Sequence, residues 1–121
     1  MTDLFDTKFI DGSHSKNGNA IPIPAAAVSL ATAVTLFASS CGASEWDVVT
    51  LVVANNSGGN LTLTLDWNGA TLKVLALNGY MTLAIDRAKV RGGLTIKGYE
   101  TTGSGALVVL PEFSRLTPVS S

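Results

Sequence analysis

Charge is what this sequence has least of. Eight basic and nine acidic side chains make up 14% of its 121 residues, with a formal net charge of −1; a typical domain is about 25% charged. Without a basic excess, binding to nucleic acid by phosphate neutralisation is excluded as an expectation. Cysteine occurs once, at Cys41. One cysteine excludes an intrachain disulfide and a cysteine-based zinc site, and the chain gives no sign of a disulfide-stapled secreted module. Histidine also occurs once, at His14 between Ser13 and Ser15. Neighbours in sequence do not make a triad, which needs three oriented groups. The expectation is therefore no enzyme, no cofactor and no metal. Cys41, with no partner base, reads as a structural thiol.

What the chain has is alternation. Leu61, Leu63, Leu65 and Trp67 alternate with Thr62, Thr64 and Asp66, the period-two pattern of a strand with one buried face. Asn68-Gly69 follows, and both residue types tolerate the positive φ that a type I′ hairpin turn needs. Leu72 and Val74 then resume the alternation. The β-branched run 46–55, WDVVTLVVAN, reads as a strand buried on both faces. Asn56-Ser57-Gly58-Gly59 and Asn78-Gly79 are turns. Segments 80–86, 94–100 and 106–110 read as further strands, the last stopped by Pro111, with 87–91 as a polar connection or strand end. About seven closely spaced strands predict an all-β fold, an antiparallel sandwich of immunoglobulin-like or jelly-roll-like order.

Two regions read differently. Residues 1–24 scatter Phe5, Phe9 and Ile10 among charged, Gly, Ser and Asn residues, then end in Ile21-Pro22-Ile23-Pro24. Each proline fixes its own φ and biases the residue before it to extended backbone. This predicts an N-terminal arm ahead of a domain at 25–121. Phe5, Phe9, Ile10, Ile21 and Ile23 are its candidate partner-binding residues, and a frayed terminus is the plainer alternative. Residues 25–44 carry no charge and stay open between a strand, an Ala-rich helix and a membrane span of about minimum length. A lipoprotein-like signal ending at Cys41 is a further option, set against an acidic and overlong preceding region.

Other clusters are weaker. Glu45 and Asp47 share one side of an extended segment, but no second pair or Asp-rich loop supports calcium binding or glycoside chemistry. Arg87, Lys89 and Arg91 are spaced by two and would project together from an extended edge. They suit either an acidic partner patch or protection against sheet-to-sheet aggregation. Gly58-Gly59 and Gly92-Gly93 lack the strand-to-helix setting of a phosphate loop. Trp46, Trp67, Tyr80 and Tyr99 would stack on sugars only if they shared one open face, and Trp67 lies on the Leu61–Leu65 face, which points to the core.

The runs TLVVANNSGGNLTLTLDWNG and LNGYMTLAIDRAKVRGGLTIKGYETTGSGALVVL resemble small β-sandwich structural proteins of tailed bacteriophage virions. The shared features are a strand ending Ala54-Asn55, a Ser/Gly turn, Thr-rich alternating strands, and Gly93-Leu94 before a closing strand. The resemblance covers about residues 48 to 110. It implies a virion structural role: capsid decoration (cement), with head–tail connector or tail protein as the alternative. The expected partners are the major capsid protein or other virion proteins and further copies of the chain, a trimer favoured, on the capsid surface. No nucleic acid or membrane partner is implied. The rival from another class is a membrane-anchored or cell-surface binding module using 25–41 as its anchor. A charge-poor surface supports assembly independently, because interface cores are depleted of charge.

Overall fold

A computed structural model describes residues 5–9 and 19–119. Among them the strands are β1 (Phe5–Phe9), β2 (Ile21–Pro22), β3 (Val34–Ala38), β4 (Trp46–Asn55), β5 (Leu61–Trp67), β6 (Ala70–Ala76), β7 (Met81–Val90), β8 (Thr95–Tyr99) and β9 (Leu107–Pro118). They form two antiparallel sheets packed as a sandwich. The first runs β1-β9-β4-β7, with β2 also on β9; the second runs β3-β8-β5-β6. Neighbours β4 and β7, and β6, β5 and β8, pair as strands B–E and C′–C–F do in an immunoglobulin sandwich. The flanking positions differ. The last strand, β9, lies beside β4 where an immunoglobulin has its first, and the early strand β3 lies beside β8 where the last would be.

The core follows from the alternation. Val49, Leu51 and Val53 of β4 are fully buried and meet Leu63, Leu65, Ile96, Val109 and Phe113. The Phe37 and Phe113 rings stack at 4.6 Å between centroids, a contact worth about 1 kcal/mol beyond its area. The opposite face of β4 is only half-buried at Val48, Val52 and Ala54. The expectation of burial on both faces is corrected here: among the described residues, no third layer covers that side. The Asn68-Gly69 turn is as expected, with φ of 50° and 100° joining Trp67 and Ala70 in register.

The 25–44 stretch is neither a long strand nor a helix. Leu30–Thr32 is a single 3-10 turn and only Val34–Ala38 is strand. The register slips between Thr35 and Phe37, so the bulge buries Leu36 and Phe37 together. Among the described residues, no helix is long and apolar enough to cross a membrane.

Two further expectations change. Pro111 does not end the last strand, which runs on to Pro118. On the side of β9 away from β4, β2 covers Val108 and Val109 and β1 covers Ser114 to Pro118. Pro111 falls in the gap between them, where among the described residues no strand pairs with it on that side, the kind of edge position that tolerates a missing N–H. Ile21 and Ile23 were expected to contact a partner. They are 5% and 1% exposed and belong to the chain's own core. The Ile23 amide donates to the Leu107 carbonyl at 2.9 Å, so the Ile-Pro-Ile-Pro segment is a wall of the sandwich and not a free contact surface.

Candidate functional site

The chemistry-bearing side chains do not converge. Among the described residues, no three His, Cys, Asp or Glu side chains are placed to hold a metal. Glu45 and Asp47 have separate partners. Asp47 is fully buried; it accepts from Ser39 Oγ at 2.7 Å and from Arg115 Nε at 2.7 Å and Nη2 at 3.2 Å. Opposite positions on β4 and β9 bring that pair together. Glu45 accepts from the Gly42 amide at 2.7 Å and the Thr117 hydroxyl at 2.8 Å. Those two bonds, the amide's first, hold its carboxyl below the usual value. Cys41 is buried beside them, its Sγ 3.6 Å from the Glu45 carbonyl. The cluster ties the β3–β4 connection to the end of β9.

The arm residues divide. Phe5 and Phe9 occupy the ends of β1, in register with Pro118 and Ser114. Ile10 and His14 lie outside the described residues. The basic trio does not form one row. Between Val49 and Val52 the pairing of β4 with β7 shifts twice, placing extra residues on β7 at Ala84 and at Asp86-Arg87. Arg87 takes φ 49°, donates its amide to Thr50 Oγ1 at 3.1 Å and pairs with Asp86 at 3.2 Å. Arg91 lies 3.4 Å over the Trp46 ring, and its Nη1 donates to the carbonyls of Ala43 and Glu45 at 3.0 and 2.9 Å. Lys89 alone has no hydrogen bond or ion pair among the described residues. Bulges on an edge strand twist it away from pairing, so β7 is a blunted edge.

The surface that stands out is the outer face of the first sheet. Register places Leu83, Val52 and Leu110 in one row across β7, β4 and β9, and Met81, Ala54 and Val108 in the next. Directly opposed residues in an antiparallel pair project from the same face. Met81 is 68% exposed, Leu83 53% and Leu110 37%, with Tyr80 at 66% beside them. A cavity of about 230 Å³, lined by Asn55, Tyr80, Met81 and Val108 among others, closes this end of the face. Sequence alternation points to strands here, and burial on both faces is expected only of the 46–55 run. Only the strand order reveals that nothing among the described residues covers this face.

The aromatics also divide. Tyr99 and the half-buried Trp67 pack against the core, and Tyr80 sits at the Asn55 end of β4. Trp46 and Trp67 line one cleft at the opposite end, with Lys89 and Arg91. No known protein family matches this chain, and no curated protein matches it in sequence.

Proposed function

We propose that this protein is a virion structural protein that decorates and stabilises a phage head, and that the outer face of β7, β4 and β9 is its main contact surface. The exposed double row Leu83–Val52–Leu110 and Met81–Ala54–Val108 carries the proposal. Burying a large apolar side chain stabilises by about 1.5–3 kcal/mol. Scaled by the share of each side chain still exposed, Met81, Leu83, Leu110 and Tyr80 together supply roughly 3–7 kcal/mol, at the low end of the approximately 4–15 kcal/mol lost in freedom on association. A single copy therefore binds weakly. Several copies joined in an oligomer on a repeating lattice bind well, because linked contacts multiply. That favours a decorating oligomer, with a trimer as the expected form. The segment carrying Phe5, Phe9 and Ile10 is the second contact in this proposal. A connector or tail position would use the same surface at lower copy number.

The test is composition and binding. Purified particles from the genome encoding this chain should contain it in copy numbers comparable to the major capsid protein. Met81→Asp with Leu83→Asp, at positions already more than half exposed, should keep the melting curve and lose at least about tenfold in co-sedimentation with stripped particles. A chain absent from particles, or a double variant that decorates at full occupancy, overturns the proposal; a few copies per particle moves it to the connector or tail.

A further inference from the structure

The cleft between Trp46 and Trp67 has no part in that contact surface. It lies at the far end of β4, nine residues from Asn55, or about 30 Å in extended chain. Its volume is about 420 Å³, within the roughly 300–1,000 Å³ of small-molecule sites. Trp67 ends β5, Asn68 turns the hairpin tip beside it, and Lys89 and Arg91 come from the end of β7 and the connection after it.

The hydrogen-bonding inventory of this cleft is one-sided. Among the described residues, no carboxylate lines it. Arg91 is fixed from two sides: its plane lies on the Trp46 ring, and Nη1 is held by the carbonyls of Ala43 and Glu45. Its Nε and Nη2 have no partner among the described residues. The same is true of the Lys89 ammonium, both indole N–H groups and the Asn68 amide NH2. Asn68, Lys89 and Arg91 are exposed residues, and among the described residues no fully buried indole nitrogen lacks a partner, so these unspent donors are reachable from solvent. Against them stands a single side-chain acceptor, Asn68 Oδ1.

We propose that this cleft binds an acidic saccharide, a pyranose bearing a carboxylate. The apolar C–H face of the ring lies against the Trp67 indole, and the carboxylate takes donors from Arg91 and Lys89. A guanidinium already locked in place loses little freedom on binding and matches a carboxylate's geometry. The indole N–H groups and the Asn68 side chain then serve the ring hydroxyls. A nucleic-acid strand fits less well. It needs a groove of cations tracking its backbone, whereas beyond Lys89 the outer face turns apolar at Val52 and Leu83.

The sequence has two tryptophans and both line the cleft, so tryptophan fluorescence of the full chain, excited apart from tyrosine, reports on this site. Titration with trigalacturonate should shift or quench the emission saturably. Its methyl ester, which keeps the rings and removes the charge, should bind at least about tenfold more weakly. Lys89→Gln, at an exposed position, should weaken trigalacturonate roughly fivefold with an unchanged melting curve. Inorganic sulfate alone should leave the emission unchanged at the same concentrations, which separates a saccharide site from a bare anion site. The proposal is overturned by an absent or non-saturable response, by equal binding of acid and ester, by sulfate reproducing the response, or by tighter binding of a short oligothymidylate.

Discussion

Glu100 offers the sharpest test of how the loop after β8 is held. It is 3% exposed, yet among the described residues no cation pairs with it. Its Oε1 accepts from the hydroxyls of Thr102 and Ser104, both at 2.7 Å, and from the Ser104 amide at 3.1 Å; Oε2 accepts from the Thr102 amide at 2.6 Å. Burial raises its pKa, but the four bonds outweigh burial, the Ser104 hydroxyl most, and bring it from 4.5 down to about 2. The folded value lies below the unfolded one, so the carboxylate stabilises fully above pH 4.5 and progressively less as pH falls to about 2. That difference is equivalent to about 3 kcal/mol. The exposed hydroxyls around it admit solvent screening, which reduces it to about 2 kcal/mol. Glu100→Gln keeps the shape but points an NH2 group at donors whichever way it is turned. Thermal unfolding at pH 7 should drop by roughly 8 °C for a domain of this size. The gap between the two proteins should shrink to less than about half by pH 3 and nearly close by pH 2, because the variant does not titrate here. A variant as stable as the parent at pH 7 would refute the four-bond account. So would a gap that stays constant down to pH 2.

Two other substitutions probe different forces. Arg115→Met removes the partner of Asp47, whose side chain is fully buried, and should cost about 3–5 kcal/mol in urea unfolding; Asp86→Asn, which breaks the exposed Asp86–Arg87 pair, should cost under about 1 kcal/mol. Losses of similar size would mean that water reaches Asp47. At Gly69, φ is 100° and a Cβ would meet nothing within 4 Å, so only backbone conformation is at stake: Gly69→Val should melt below Gly69→Asn, by about 1–2 kcal/mol in stability, and identical melting would show that the turn carries no such strain.

What could be read from sequence was what depends on near neighbours. The 61–76 hairpin is carried by alternation and by Asn68-Gly69, all within one turn of chain, and the β4 run matches its strand end to end. What escaped depends on strand order. Proline usually ends a strand; Pro111 does not because β1 and β2 leave a gap opposite it. Isolated isoleucines between prolines look the same whether they face their own sheet or another protein, and only the pairing of β2 with β9 decides that Ile21 and Ile23 are core. Residues 25–44 lack a long periodic signal because most of the stretch is turn, and its short strand contains a bulge that breaks the period. Arg115 meets Asp47 across 68 positions of chain, and Arg91 meets Trp46 only because Val90 is in register with Asp47.

The edges and the open face together bear on how copies or partners can attach. A sandwich can grow by adding strands to an edge or by covering a face. On one side of the first sheet, β1 and β2 already occupy the edge of β9 over Val108–Val109 and Ser114–Pro118, leaving a gap centred near Pro111, which has no N–H to donate. On the other side, β7 carries two extra residues and a positive-φ arginine, so its hydrogen-bonding groups do not present a straight ladder. Strand addition along β7 is disfavoured by geometry. The outer face is different: what it offers is side chains, those of Met81, Leu83, Leu110 and Tyr80. Contact there buries apolar side chains without breaking or adding a ladder bond, so it is reversible and set by shape. An assembly built through such faces reaches a defined stoichiometry, whereas one built through unpaired edges would extend without limit. A protein that must occupy a fixed number of equivalent positions needs the first kind of contact and protection against the second, and the bulges of β7 and the exposed rows beside them supply both within one sheet.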